Sequence, residues 1–245
     1  MPNRTDQDWE WFGANDPYFS VVTQDRFHAD QMTSASLAQF WQTGVEYMET
    51  VFATVRKQVR PDFSPRHSLD FGCGVGRLLF PLAELSEQAT GVDVSAAMLA
   101  EARKQAQTRS LDNVTLVQTG DCATLPSNTY DFVHSFIVFQ HMSQARGEAN
   151  LTALLHRLRP NGVGALHFTY EKRRRGAVSR WNARIRQSGP GRLAFRGADQ
   201  PTMLMTEYDL NALFRILHEQ GITQVHTEAT DHGTPGVTLF FVKPQ

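Results

Sequence analysis

The chain has 245 residues, 41% of them hydrophobic and 20% charged, and a formal net charge of −1 at pH 7. That balance fits a soluble α/β domain with a core of its own and a small cap. The near-neutral total argues against a globally basic nucleic-acid binder; no apolar stretch reaches transmembrane length, and the stretch from Met1 to Trp11 is polar and acidic, so a cytoplasmic enzyme with no membrane partner is expected.

In chain order, residues 1 to about 31 read as irregular, with Trp9, Trp11, Phe12, Tyr18 and Phe19 breaking up polar residues. From Thr33 to about Arg60, apolar positions recur at three and four (Leu37, Phe40, Trp41, Val45, Met48, Val51, Phe52, Val55), which predicts an amphipathic helix or two, ended by Pro61 and Pro65. Strands and helices then alternate. A strand is expected over 68–71, a helix over 76–85, a strand over 89–94, and a helix after Ser95, which can cap it. Strands follow at 114–118 and 130–138, then a helix over 144–158, the turn signal Arg159-Pro160-Asn161-Gly162, and a strand over 163–170. The rhythm breaks over 171–205 and resumes with a helix over 206–220 and strands over 222–229 and 237–242. The last connection is too short for a parallel crossover, so the final strand must run antiparallel to its predecessor. The expected architecture is a seven-stranded, mostly parallel sheet with one antiparallel strand and helices on both faces. Residues 1–60 form an N-terminal arm and lid, and 61–245 form the main domain with a cap insert at 171–205.

The most informative segment is Leu69-Asp70-Phe71-Gly72-Cys73-Gly74-Val75-Gly76-Arg77. Gly72 and Gly74 allow a turn that residues with a Cβ resist, and they let backbone approach a ligand. The pattern is G-x-G-x-G, with Arg77 where a dinucleotide fold carries its last glycine. Asp93 ends the next strand, placed to accept from both hydroxyls of a ribose. Asp121 and Cys122 follow the third strand, where a carboxylate and a backbone N–H can read an adenine edge; Asp121 reads equally as an ordinary turn residue. Cys73 and Cys122 follow no metal spacing, a disulfide is not expected between them, and the nine histidines form no zinc-like pair, so no metal is expected.

Together with Tyr130-Asp131-Phe132-Val133, Phe139-Gln140-His141-Met142 and Leu158-Arg159-Pro160-Asn161-Gly162, these segments resemble the class I (Rossmann-like) S-adenosylmethionine-dependent methyltransferases of the small-molecule type. The resemblance covers roughly residues 45 to 170, and more loosely 206 to 243. It implies S-adenosylmethionine as methyl donor and S-adenosylhomocysteine as product. Asp70, Gly72, Cys73, Gly74 and Gly76 would hold the methionine moiety, Asp93 the ribose, Val94 and Met98 the adenine faces, and Asp121 with Cys122 the adenine edge. By spacing alone, Met98 reads as helix core. For Arg77, a contact to the methionine carboxylate and a structural ion pair are both open. Phe136 and His141 would border the donor at the end of the fourth strand.

Methyl transfer from a sulfonium needs position and water exclusion more than acid–base help. His141 is the candidate for acceptor positioning or general base, against the plainer reading of a histidine bonded to backbone. Tyr18, Phe19, Phe139, Gln140, Tyr170 and Trp181 are the candidate acceptor pocket, with Asn15 to Val22 resembling the lid of small-molecule enzymes; Tyr18, Phe19 and Phe27 read equally as packing of the arm. Residues 172–198 hold nine Lys or Arg and no Asp or Glu, which points to an anionic acceptor or to a solvated basic face. A small-molecule acceptor is expected. The competing readings are an RNA or protein methyltransferase using the basic insert, a nicotinamide-dependent oxidoreductase, and a non-catalytic binder.

Overall fold

The computed structural model describes residues 4–172, 201 and 203–245. Among them, seven strands form one sheet in the order β3-β2-β1-β4-β5-β7-β6: β1 (His67–Phe71), β2 (Gln88–Asp93), β3 (Val114–Gln118), β4 (Tyr130–Ser135), β5 (Leu158–Thr169), β6 (Val225–Asp231) and β7 (Pro235–Val242). The first five pair in parallel, and β7 runs antiparallel to both β5 and β6. This is the expected sheet with its one reversed strand. The chain builds outward from β1 to β3, then returns to add β4 on the other side of β1. That reversal opens a crevice at the carboxyl ends of β1 and β4, where open α/β sheets take ligands.

Both faces are covered because both carry apolar residues. On one face, Met48, Val51 and Phe52 of α3 (Ser34–Thr54) pack on Phe132, Val163, Ala165 and Phe240. On the other, α6 (Gln144–Arg157) and α7 (Leu210–Glu219) cover Leu69, Phe71, Val133, Leu166 and Phe168. The helices α4 (Leu79–Glu84) and α5 (Ala96–Thr108) close a third cluster through Leu79, Phe80, Leu99 and Ala102. Thr33 and Ser36 form a reciprocal cap at the start of α3, which explains why the predicted helix begins there. Thr33→Ala is expected to lower stability by about 1 kcal/mol, read from the midpoint of urea unfolding.

Four expectations need correction. Residues 4–21 are not irregular: α1 (Arg4–Asn15) and α2 (Pro17–Val21) are helices, the second opened by Pro17 at its first turn. Partners distant in sequence hold α1. The Glu10 carboxylate accepts from Ser95 Oγ and Ala97 N–H at the start of α5, and Gly13 lies so near that a Cβ would come 2.6 Å from Ser95 Oγ. The helix expected from Gly76 starts at Leu79, because Gly76 has φ +94°, outside any right-handed helix. The strand expected to reach Val138 stops at Ser135, since Ile137 has φ +58°. The Arg159–Gly162 turn is present as a bulge inside β5: Tyr130 pairs with Leu158 but Phe132 with Val163, and Asn161 takes φ +63°. Among the described residues, no helix is long and apolar enough to cross a membrane.

Candidate functional site

The crevice between β1 and β4 is a cleft of about 970 Å³, open space at its mouth included, lined by Asp70, Gly72, Cys73, Gly74, Arg77, Asp93, Val94, Met98, Phe136 and His141. Ten of the predicted residues thus meet in one place. The sequence folds there as a tight turn because Gly72 (φ +78°) and Gly74 (φ +53°) adopt left-handed backbone. Gly72 N–H donates to Val92 O at 2.7 Å, tying the turn to the end of β2.

Asp93 holds that turn from the other side. Its Oδ2 accepts from Gly74 N–H and its Oδ1 from Ser95 N–H, both at 2.9 Å. Each oxygen keeps a second lone pair. Burial raises its pKa to about 6, against the opposing pull of the backbone N–H groups of Ser95 and Gly74. Ser95 caps α5 by accepting from Met98 N–H, as expected. Met98 is 1% exposed and also lines the cleft, so its two readings hold together.

Arg77 is buried with its charge uncompensated: among the described residues it forms no ion pair, Nη1 reaches only Thr43 Oγ1 at 3.4 Å, and Nε has no partner. Burial lowers its pKa, partly offset by Tyr47 and Asp70. The structural ion pair left open for Arg77 is therefore absent among the described residues. Asp70 is also buried, its Oδ1 2.8 Å from His134 Nδ1. The Cys73 and Cys122 thiols are free and buried, and burial pushes both pKa values up, which makes them poor nucleophiles.

Other predicted residues stand elsewhere. Asp121 does not line the cleft; it caps the short turn Cys122–Thr124, its carboxylate accepting from Ala123 N–H. The Cys122 N–H already donates to Asn150 Oδ1 at 3.0 Å. Tyr18 donates to Glu101 and packs on Phe40 and Trp41, Phe19 stacks on His28, and Phe27 is fully buried, so all three belong to the packing of the arm. Phe139 is core, stacked on Phe168. Gln140 lies beneath His141, bonded to Thr169, and Tyr170 is exposed. Trp181 and the basic run from Arg173 onward lie outside the described residues.

His141 lines the cleft with both ring nitrogens engaged. Nδ1 donates to Leu204 O at 2.8 Å and Nε2 accepts from Gln140 Nε2 at 3.2 Å, and burial lowers its pKa to about 4. It is a neutral strut between the cleft floor and residue 204. Sequence reading missed the far wall, which α1 supplies through Thr5, Asp6 and Trp9. Asp6 forms a two-pronged ion pair with Arg146 across the mouth (2.5 and 3.1 Å), and the Trp9 ring meets His141 at 4.8 Å. The Asp16-Pro17 pair and the Trp9/Phe12 spacing were the available signals for these helices.

Residues 69–162 match the methyltransferase domain family, over the segment that builds this cleft. That segment is similar to methyltransferase domains. The chain is similar, at 32% identity over 117 residues, to the aklanonic acid methyltransferase DauC of Streptomyces sp. (strain C5), covering 45% of this chain and 53% of that protein. A match to the 23S rRNA (uracil(747)-C(5))-methyltransferase RlmC of Vibrio cholerae, 32% identical over 75 residues, covers 31% of this chain and 20% of that one. The chain thus spans about half the length of the first relative and a fifth of the second. Its fold matches magnesium protoporphyrin IX methyltransferase (ChlM) from Synechocystis PCC 6803, solved with SAH (TM-score 0.65, 18% identity, 98% and 99% of the two chains). It also matches the N-methyltransferase NodS from Bradyrhizobium japonicum WM9, again with SAH (TM-score 0.62, 14% identity, 99% and 100%). Residues 69–162 and the N-terminal arm together supply all the cleft-lining residues described above.

Proposed function

We infer that the chain is an S-adenosylmethionine-dependent methyltransferase acting on a small-molecule acceptor. The observation that carries this reading is the convergence of Asp93, the glycine turn, Val94 and Met98 in one cleft at the sheet's reversal point. These residues fit the donor: the Asp93 oxygens retain capacity for ribose hydroxyls, and Val94 and Met98 offer apolar surface to a base. When bound, S-adenosylmethionine supplies a methyl group already activated by its positive sulfur. The protein's own task is to fix the acceptor in line and keep water out. Trp9, His141 and the Asp6–Arg146 pair close the mouth for that purpose, and we assign His141 to the wall rather than to proton transfer.

The small-molecule reading draws on this closed mouth and on the names of the DauC and ChlM relatives. The reading for RNA has only the short RlmC match and the basic insert behind it. Calorimetry tests the donor: S-adenosylhomocysteine should bind one per chain, and NADH should not bind. No heat with S-adenosylhomocysteine would end the reading. Transfer of labelled methyl to tRNA, falling steeply with salt, would move the acceptor to RNA. For the mouth, Asp6→Ala should speed release of S-adenosylhomocysteine about five-fold in stopped-flow displacement, as expected for a half-buried two-pronged pair.

A further inference from the structure

Among the described residues, three buried side-chain nitrogens lack a hydrogen-bond partner: Arg77 Nε, His134 Nε2 and His167 Nδ1. They occupy one corner of the molecule. Asp70 and His134 are register partners on β1 and β4, bonded through Nδ1. The Tyr47 ring lies 5.8 Å from the His134 ring and 4.2 Å from Phe136, and Phe136 meets His167 at 5.1 Å and His232 at 4.9 Å. The Arg77 charge acts on both Tyr47 and His232. An unpaired buried polar atom costs about 1–3 kcal/mol. Three such deficits in one corner, beside a ligand cleft, mark a place built for a polar group that arrives with a ligand. Among the described residues, no group of three or more His, Cys, Asp or Glu is arranged to hold a metal ion.

The donor and acceptor roles define that group. Arg77 Nε–H can only donate. His134 donates its Nδ1 proton to Asp70, which leaves Nε2 with a lone pair that can only accept. A carboxylate would satisfy Arg77 and offer His134 nothing. An ammonium would satisfy His134 and be repelled by Arg77. A hydroxyl answers both from one atom. The walls are flat and aromatic (Tyr47, Phe136, His232), which suits a hydroxyl carried on a planar ring. Burial keeps His167 neutral, with its pKa lowered to about 3, so it adds no charge against a neutral ligand.

We propose that Arg77, His134 and His167 form the acceptor subsite, and that the acceptor is a phenol-type hydroxyl methylated on oxygen. The proposal rests on the donor reading above and adds the acceptor atom to it. Phe136 lines the cleft on one side and this corner on the other, and the next residue, Ile137, is β-branched with φ +58°, a strained conformation. On transfer, one C–O bond forms and one C–S bond breaks, its electron pair staying on sulfur. The hydroxyl proton passes to His134 Nε2, and the Asp70 carboxylate pairs with the resulting imidazolium.

The test uses the full chain saturated with S-adenosylhomocysteine, with phenol, anisole, benzoate and benzylamine as probes followed by nitrogen NMR of the histidine rings. Phenol should bind about ten-fold tighter than anisole, which lacks the O–H, and should shift His134 Nε2. In His134→Leu that preference should fall below about two-fold, while S-adenosylhomocysteine affinity measured by calorimetry stays within about three-fold. Equal binding of phenol and anisole to the wild-type chain would overturn the proposal without any variant. So would benzoate or benzylamine binding tightest, or a preference for phenol that survives in His134→Leu. Failure of S-adenosylhomocysteine to bind would instead overturn the donor reading, which the calorimetric arm reports separately.

Discussion

Asp93→Ala is expected to weaken S-adenosylhomocysteine binding by about 100-fold or more, the loss of two charge-assisted hydrogen bonds to a ribose at about 1.5 kcal/mol each. Removal of this carboxylate also strips the acceptor from Gly74 N–H and Ser95 N–H, so the turn that faces the ligand loses its brace. The wild-type chain should show the same dependence through pH. Burial raises the Asp93 pKa to about 6, so the folded protein holds this proton more tightly than the unfolded chain does. Its contribution to stability is therefore present at low pH and is lost as pH rises through about 6. Ligand binding favours the ionised form and must expel the proton. Calorimetry should find affinity flat above pH 7 and about ten-fold weaker at pH 5, with proton uptake or release visible as a buffer-dependent heat. In Asp93→Ala that pH dependence should vanish. A wild-type affinity that stays level from pH 7 to pH 5 would remove Asp93 from the binding site.

Gly72→Ala should damage both fold and site. The residue has φ +78°, and a Cβ there would lie 2.3 Å from one Val138 methyl and 2.6 Å from the other. Left-handed backbone costs an alanine about 1–2 kcal/mol, and displacing a packed valine adds about 1–3 kcal/mol. Val138 cannot yield freely, because it follows the strained Ile137 and itself lines the cleft. Thermal unfolding should shift down accordingly, and S-adenosylhomocysteine binding should fall below detection. Gly233→Ala is the matched control. It has φ +91° with nothing within 4 Å of a Cβ, so it carries the backbone cost alone and should leave ligand affinity unchanged.

Where local chemistry and tertiary structure agree, the sequence could be read closely. The strand Val114–Gln118, the Ser95 cap and the closing antiparallel pair follow from β-branched runs, a hydroxyl before a helix, and a connection too short to cross over. The glycine turn and Asp93 were legible because left-handed backbone and a strand-end acid leave marks in residue type. The N-terminal helices were not, since what fixes them lies far along the chain: Asp6 finds Arg146, and Glu10 finds Ser95. Tyr18 and Phe19 announced apolar surface, but not which side it would face. Asp121 and Cys122 had the right residue types after the right strand; Asn150, supplied by a distant helix, took the N–H that the reading had assigned to a ligand. His141 was found, but its role turned on Gln140 and Leu204, and no spacing rule connects residue 141 to residue 204.

The strand β5 ends at Thr169, and the chain returns at 203–208 pinned to the same spot. Tyr208 N–H donates to Thr169 O, Thr206 N–H to Gln140 O, and the Tyr208 hydroxyl to Phe139 O. The two ends of the excursion are thus stapled to each other and to the floor. Loop-closure entropy grows only slowly with length once the ends are fixed. Segments of other lengths and compositions could be exchanged between these staples with the sheet and the glycine turn left in register. The fold thus fixes both ends of this stretch through backbone and core contacts that do not depend on the sequence between them.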